Sequence, residues 1–389
     1  MKKSASQIIK DNFMIIALVV IYLLFTLGTK GAMFQPMNFN ALVTQNAYVF
    51  ILASGMLMCM LTGGNIDLSC GAVVCLLAAI GGYFLNNKGL PVVVVILIML
   101  AVGAFYGIVL GYLIAYVNVP PWIATLAGYL AFRGLGTQIL SSSSSTGSIS
   151  IAAYTGFLSL FSGKLFSTKL NVLNIPCMVV GIAAAVLVIF LNTRSRAIKL
   201  KKGYEADSAA GVLVKSVLEA AVILLVAYKL AMAGGLPTVL VWVVAVVLFY
   251  SFITEKTTIG RHFYVVGGNR EAARLSGVNT RRIMFMAYLN MAVITVITTW
   301  AVMSRFQAAN STMGTNYEMD AISACVVGGV SAYGGSGRIF GMVVGATLIG
   351  VINLGMSLVN WDANLQKVVK GVVLLGAVAF DILSKKREK

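Results

Sequence analysis

The sequence predicts an all-α, polytopic transmembrane helical bundle, and three observations carry that prediction. Of the 389 residues, 59% are hydrophobic and only 11% are charged, with a mean hydropathy of +0.92. A soluble domain carries about 25% charged residues, so this chain cannot clothe a water-facing surface. Apolar runs close to 20 residues recur along the whole length, the length a helix needs to cross a bilayer. The charge is also sorted by position. Of the 29 Lys and Arg residues, about 20 gather in four groups plus Arg338, between apolar runs and at the chain ends. The expected architecture is one domain over residues 1–389, with about 10–12 spans, some broken or re-entrant.

The same sorting excludes several classes of function. A net charge of +17 would suit nucleic acid, but membrane orientation accounts for most of it, so no nucleic-acid partner is expected. Anionic lipid head groups are the natural neighbours of such segments in a bilayer. The five cysteines (Cys59, Cys70, Cys75, Cys177 and Cys325) fall in apolar runs without a CxxC pair, as small core residues do. The single histidine, His262, cannot build a metal site. No catalytic cluster, metal site or cofactor is expected.

The first span, 13–28, follows Lys2, Lys3 and Lys10, which place the N-terminus in the cytoplasm. No small-residue cleavage site follows, so the segment reads as a span and not as a removed leader. The second span, 41–61, runs into Thr62-Gly63-Gly64-Asn65-Ile66-Asp67-Leu68-Ser69-Cys70-Gly71. That stretch is too polar and too glycine-rich for a plain helix. It breaks one helix and starts another, with Asn65 or Asp67 as the cap. Asp67 is also an ionisable group beside apolar runs, which marks a candidate translocation path, and a cap at a broken helix can line a cavity in either role.

The third span is 68–85 and the fourth 92–116, where Gly103, Gly107 and Gly111 form a ladder for close helix packing. Pro120-Pro121-Trp122 marks an interfacial break or the re-entrant start of the stretch 123–140. Arg133, inside that stretch, either snorkels or pairs with Asp67. The serine-rich stretch 141–170 reads as an extracytoplasmic low-complexity loop that needs no packed structure. A sixth span at 172–191, a basic cytoplasmic loop at 194–215, and two shorter apolar runs at 216–233 and 237–253 follow.

Residues 255–282, EKTTIGRHFYVVGGNREAARLSGVNTRR, hold six basic residues between two apolar runs and so face water on the cytoplasmic side. Asn269 can cap a helix by accepting a backbone N–H two or three positions on. Glu271 suits the first turn, Ala272 and Ala273 favour helix, and Gly277 can end it in a left-handed turn. The product is a short, small-faced helix able to dock into a groove on another protein.

The span 283–303 contains Asn290 and Trp300, which could meet a polar cargo or bond to neighbouring helices. Asp320 is expected to cap a helix that breaks at Gly328-Gly329. The spans 342–359 and 365–383 and the basic tail (Lys385, Lys386, Arg387, Lys389) close the chain on the cytoplasmic side. Residues 63–71 and 328–337 each set a double glycine at a helix break beside a polar cap, through either an internal repeat or shared turn chemistry.

Several of these stretches resemble one family. Glu271-Ala272-Ala273, followed by Gly277, resembles the EAA motif of ABC-importer permeases. Residues 62–69 look like the TGGIDLS signature of ABC sugar permeases of the ribose and xylose type, with Asn65 inserted or substituted. Pro121-Trp122-Ile123-Ala124-Thr125-Leu126-Ala127-Gly128 is similar to that family's P-x-I-x-T-L-A-G stretch, and Asp320–Gly329 with Gly334–Gly341 to its C-terminal glycine block. The matches run in the family's order from about residue 55 to 381, nearest the longer xylose and multiple-monosaccharide branch.

The resemblance implies a permease subunit of the bacterial cytoplasmic membrane. It implies a monosaccharide handed over by a periplasmic or lipid-anchored binding protein, a separate ATPase subunit, and a second permease copy. It assigns Gly268, Asn269, Glu271, Ala272, Ala273 and Gly277 to coupling with the ATPase. Asn65, Asp67, Asp320, Asn290 and Trp300 are the candidates for the translocation path. No Walker A or dinucleotide motif is present, so the chain is not expected to be the enzyme itself. An ion-coupled secondary sugar transporter, which would need paired buried carboxylates, is the alternative. A membrane-embedded enzyme would need clustered His, Asp or Glu, and no such cluster is visible.

Overall fold

Helices follow one another with almost no sheet between them. A computed structural model describes residues 13–204 and 208–386. In chain order the helices are α1 (Phe13–Gly28), α2 (Pro36–Leu61), α3 (Cys70–Gly82, ending in a π turn at Tyr83–Asn87), α4 (Val92–Ala115) and α5 (Pro121–Ser143). There follow α6 (Thr155–Ser162), α7 (Ile175–Lys201), α8 (Ala209–Met232), α9 (Thr238–Lys256), α10 (Thr258–Gly268) and α11 (Arg270–Leu275). The last are α12 (Thr280–Phe306), α13 (Tyr317–Val327), α14 (Ile339–Leu358) and α15 (Ala363–Lys386). Four short strands, β1 (Ser148–Ser150), β2 (Lys164–Leu165), β3 (Leu236–Pro237) and β4 (Ala308–Asn310), pair antiparallel as β1 with β4 and β2 with β3. Among the described residues, 8 helices are long and apolar enough to cross a membrane: α2, α3 with its π turn, α4, α7, α8, α9, α12 and α14. The protein is a polytopic helical membrane protein. The basic N-terminal group (Lys2, Lys3, Lys10) and the tail residues Arg387 and Lys389 lie outside the described residues.

The chain forms two compact units. The larger takes in the described residues of Met1–Met33, Leu42–Ser162 and Val239–Lys389, and the smaller those of Phe34–Ala41 and Gly163–Thr238. In the smaller unit α7 and α8 form a helical hairpin whose backbones approach closely at Gly181, opposite Ala227. Asn174 caps α7 by accepting the Cys177 N–H at 2.8 Å, and Ser208 caps α8 by accepting the Gly211 N–H at 3.1 Å. Helix α7 continues to Lys201, so Arg194, Arg196, Lys199 and Lys201 sit on its last turns and not in the loop expected at 194–215.

In the larger unit the buried core is drawn from α2, α3, α12, α13 and α14. The glycine ladder of α4 works as its spacing predicts: Gly103 lies on Val296, Gly107 on Ala292 and Leu289, and Gly111 on Phe285, all of α12. The opposite face of α4 leaves Phe105, Val109 and Tyr112 exposed, as a surface toward lipid tails requires. The serine-rich stretch is packed, unlike the expected loop. Helix α5 runs on to Ser143, β1 pairs with β4 from Ser148↔Asn310 to Ser150↔Ala308, and α6 buries Phe157 and Phe161. Two aromatic side chains and a strand edge supply the burial that low complexity hides.

Helix α13 has 11 residues. At 1.5 Å per residue it reaches only about 16 Å, half of what a crossing needs. It is a half-helix, entered through Asn316 (φ +63°) and left through Gly328 and Gly329 (φ +82°).

Candidate functional site

The exposed turn between α9 and α12 has the local structure its residues dictate. Asn269 ends α10 and caps α11, its Oδ1 accepting the Ala272 N–H at 2.9 Å. Glu271 lies in the first turn of α11 and receives the Arg274 guanidinium at 3.1 Å from Nε and 2.5 Å from Nη2. Arg274 beside it holds the Glu271 carboxyl below the usual carboxylate range. Ala273 is buried against the body of the unit, and Gly277 leaves the helix with φ +83°. Leu275, not singled out from the sequence, projects from α11 with 75% of its surface exposed. Single exposed apolar residues are ordinary on protein surfaces, and nothing in the local sequence pattern sets this one apart.

Behind this turn three irregular segments meet main chain to main chain. The first is the break 62–69 after α2, the second the end of α10 at Gly267-Gly268, and the third the loop 328–338 between α13 and α14. Gly335 donates its N–H to the Leu61 carbonyl at 3.1 Å. A methyl group on Gly267 would overlap that same carbonyl oxygen and approach the Gly335 nitrogen to 2.6 Å. One on Gly64 would overlap the Ala332 carbonyl, and one on Gly334 would overlap Gly63. The Tyr264 hydroxyl of α10 adds a bond to the Gly337 carbonyl at 2.9 Å. The glycines of all three sequence motifs are therefore needed for this close approach. Irregular backbone at membrane depth is tolerated where it is buried in protein or lines a cavity. A cleft of about 320 Å³ does open here, lined by Thr62, Asn65, Asn118, Pro121, Asn269 and Arg270 among others. That volume lies at the low end of small-molecule sites, about 300–1,000 Å³.

The five path candidates do not converge. Among the described residues, no hydrogen bond, ion pair or ring contact joins any two of them. Asn65 lines the cleft and donates to the Thr62 carbonyl at 3.1 Å. Asp67 is fully buried and accepts the Ser69 N–H at 2.8 Å and the Ser69 hydroxyl, which in turn meets Tyr106. It ties down the turn before α3, whose cap position is Ser69. Arg133 does not reach Asp67; its Nη1 donates to the Ser311 and Met313 carbonyls at 3.2 and 2.8 Å. Asn290 accepts from the Tyr250 hydroxyl, and its Nδ2 is buried without a partner. Trp300 packs on Phe161 with ring centroids 5.3 Å apart, its Nε1 also buried without a partner.

Asp320 requires a correction. It is not a cap: α13 begins at Tyr317 after Asn316, and Asp320 sits a turn inside. Its buried carboxylate pairs with Lys370 of α15 at 2.9 Å and accepts the Tyr48 hydroxyl at 2.5 Å. Sequence reasoning missed Lys370, and it missed Glu318, buried against Gly71 with Oε2 unpartnered. Both are ionisable residues in apolar surroundings, the signal that singled out Asp67.

Comparison with known proteins gives this arrangement a family. The model described as "branched-chain amino acid transport system / permease component" matches residues 38–378. The xylose transport system permease protein XylH of Haemophilus influenzae is 33% identical over 393 residues, covering 100% of both chains. The galactose/methyl galactoside import permease protein MglC of the same organism is 27% identical over 402 residues, covering 100% of this chain and 98% of its own. The ribose import permease protein RbsC of Escherichia coli is 28% identical over 375 residues, covering 96% and 94%. No solved structure matches. On the family match over residues 38–378 and the full-length likeness to XylH, the chain belongs to the permease family of ABC-type xylose, galactose and ribose transport systems.

Proposed function

We propose that the chain is the membrane-spanning subunit of a monosaccharide importer of the bacterial cytoplasmic membrane, driven by a separate ATPase. A binding protein delivers the sugar to the outer face, a second permease copy completes the path, and both termini and residues 255–282 lie in the cytoplasm. The ATPase receives α11, with Gly268, Asn269, Glu271, Ala272, Ala273 and Gly277 shaping the coupling element and Leu275 as its apolar anchor. One observation carries this reading. Gly267, one residue before that element, lies on the Leu61 carbonyl and beside Gly335, so the docking turn touches both helix breaks through main chain alone. A push on α11 reaches the end of α2 and the loop after α13 through that main-chain contact and through the Tyr264 bond to Gly337. The named sugars of the relatives make a pentose or hexose the cargo.

The test is Glu271→Lys in cells carrying the whole system. Uptake of labelled sugar falls at least tenfold while the amount of permease in the membrane stays normal. Unchanged uptake would make α11 a solvated turn. Buried Asp67 and Glu318 favour one competing reading, an ion-coupled transporter. Accumulation of sugar by the purified chain in sealed vesicles, without nucleotide or companion subunits, would establish that reading instead.

A further inference from the structure

We propose that Tyr48, Gln45, Arg305 and Tyr317 form a sugar subsite on the translocation path, one that takes the ring of a neutral monosaccharide. The proposal rests on the import reading above and gives that reading its contact residues.

Three elements of the larger unit converge there. Helix α2 supplies Thr44, Gln45 and Tyr48, the end of α12 supplies Arg305, and the start of α13 supplies Tyr317. All five line one small enclosed cavity of about 10 Å³. That is room for a single water. The two tyrosine rings stack at 3.8 Å between centroids, inclined by 19°. Tyr48 is fixed from behind by Asp320, which Lys370 neutralises.

The chemistry in front is incomplete. Arg305 is partly buried beside Tyr48 and Tyr317, yet among the described residues its guanidinium makes no hydrogen bond and no ion pair; the Phe306 ring lies 4.8 Å away. The Gln45 amide makes no hydrogen bond either. A guanidinium offers five N–H donors and an amide offers both donor and acceptor, a set that matches hydroxyl groups. Aromatic faces take the apolar C–H face of a sugar ring. The Asp320–Lys370 pair adds no net charge behind the site; Arg305 alone would also accept a carboxylate, so the neutral class comes from the import reading and is put to the test below.

The fold also explains how so small a cavity admits a sugar. Tyr317 is the first residue of the half-helix α13, which is held by turns at both ends. Tilting α13 parts Tyr317 from Tyr48 and exchanges the ring–ring stack for ring–sugar contacts. The far end of α13 runs into the loop 328–338, where Gly334 and Gly335 meet the α2 break and the end of α10. The element that opens the subsite is thus the one the docking turn can move.

The experiment uses the complete system in cells, with labelled D-xylose, D-ribose and D-galactose and the monodeoxy analogues of whichever sugar is taken up. The readout is the rate ratio between a sugar and each analogue at equal membrane levels of permease. The binding protein contributes equally to every variant, so it cancels when ratios are compared. The ratio at one or more hydroxyl positions falls about tenfold in Arg305→Gln, as expected for a lost charged hydrogen bond, and about fivefold in Gln45→Ala, as expected for a neutral one. Tyr317→Leu lowers uptake, and Tyr317→Phe restores it. Glu271→Lys lowers every rate and leaves the ratios untouched. Ratios unchanged in both Arg305→Gln and Gln45→Ala overturn the subsite while leaving the import reading intact. Competition by D-galacturonate as strong as by the neutral sugar overturns the neutral class. Failure of the wild type to take up any of the three sugars overturns the import reading and the subsite together. If Arg305→Gln does not reach the membrane, Gln45→Ala and Arg305→Lys carry the test.

Discussion

Replacing Lys370 by methionine isolates the energetics of the buried ion pair. The Asp320 side chain is 3% exposed and that of Lys370 is 23% exposed. The ammonium lies 2.9 Å from Oδ1 and 3.0 Å from Oδ2, so it serves both carboxylate oxygens. In Lys370→Met the carboxylate keeps only the Tyr48 hydroxyl. Stranding one member of a buried pair costs about 3–5 kcal/mol. The surviving Tyr48 bond and the partial exposure of Lys370 place this case at the lower end, about 3 kcal/mol. Adding Asp320→Asn removes the stranded charge, and the double variant should return to within about 1 kcal/mol of the parent. Reversible unfolding in detergent, run as a double-mutant cycle that includes Asp320→Asn alone, measures these values and a coupling of at least about 2 kcal/mol. A cost below about 1 kcal/mol for Lys370→Met, or a double variant less stable than the single, would refute the assignment of a desolvated, mutually compensating pair.

Gly267→Ala should abolish most uptake while an ATPase still co-purifies, since the new methyl would displace the Leu61 carbonyl and leave α11 outwardly intact; transport assays paired with a pull-down check it. Asn269→Ala removes the cap of α11, at about 1 kcal/mol, and should speed amide exchange across 270–275 about fivefold. Leu275→Asp should weaken ATPase co-purification without altering the thermal stability of the permease alone. Gly181→Leu should destabilise the α7–α8 hairpin by about 1–3 kcal/mol, because Ala227 occupies the space the side chain needs; a melting curve in detergent reads it.

What the sequence made legible were features set by a few neighbouring residues. The cap at Asn269, the left-handed exit at Gly277 and the break after Leu61 each follow from local turn and capping chemistry, and each is present. The ladder Gly103, Gly107, Gly111 was legible because helical spacing alone puts those residues on one face. Asp320 was misread because an acid near a helix start looks the same whether it caps the helix or waits one turn inside for a distant lysine. The serine-rich stretch was misread because its order comes from Phe157 and Phe161 reaching the core and from a strand partner about 160 residues further on. For Arg133 the sequence left open snorkelling or pairing with Asp67, and its partners are two carbonyls. In each case the deciding partner is remote in sequence, and periodicity carries no information about it.

The crossing of Leu61, Gly267 and Gly335 has a mechanical consequence. Each peptide is planar, so the freedom of the contact lies in the φ and ψ of its glycines. Contact through main-chain atoms leaves no long side chain to re-orient, so a displacement of residues 268–277 bears directly on the loops 62–69 and 328–338. Such a hinge behaves as a gear tooth more than as a cushion. Adjusting the gear ratio would require changing the length or pitch of the segments that meet there, since even a methyl group on Gly267 has no room beside the Leu61 carbonyl.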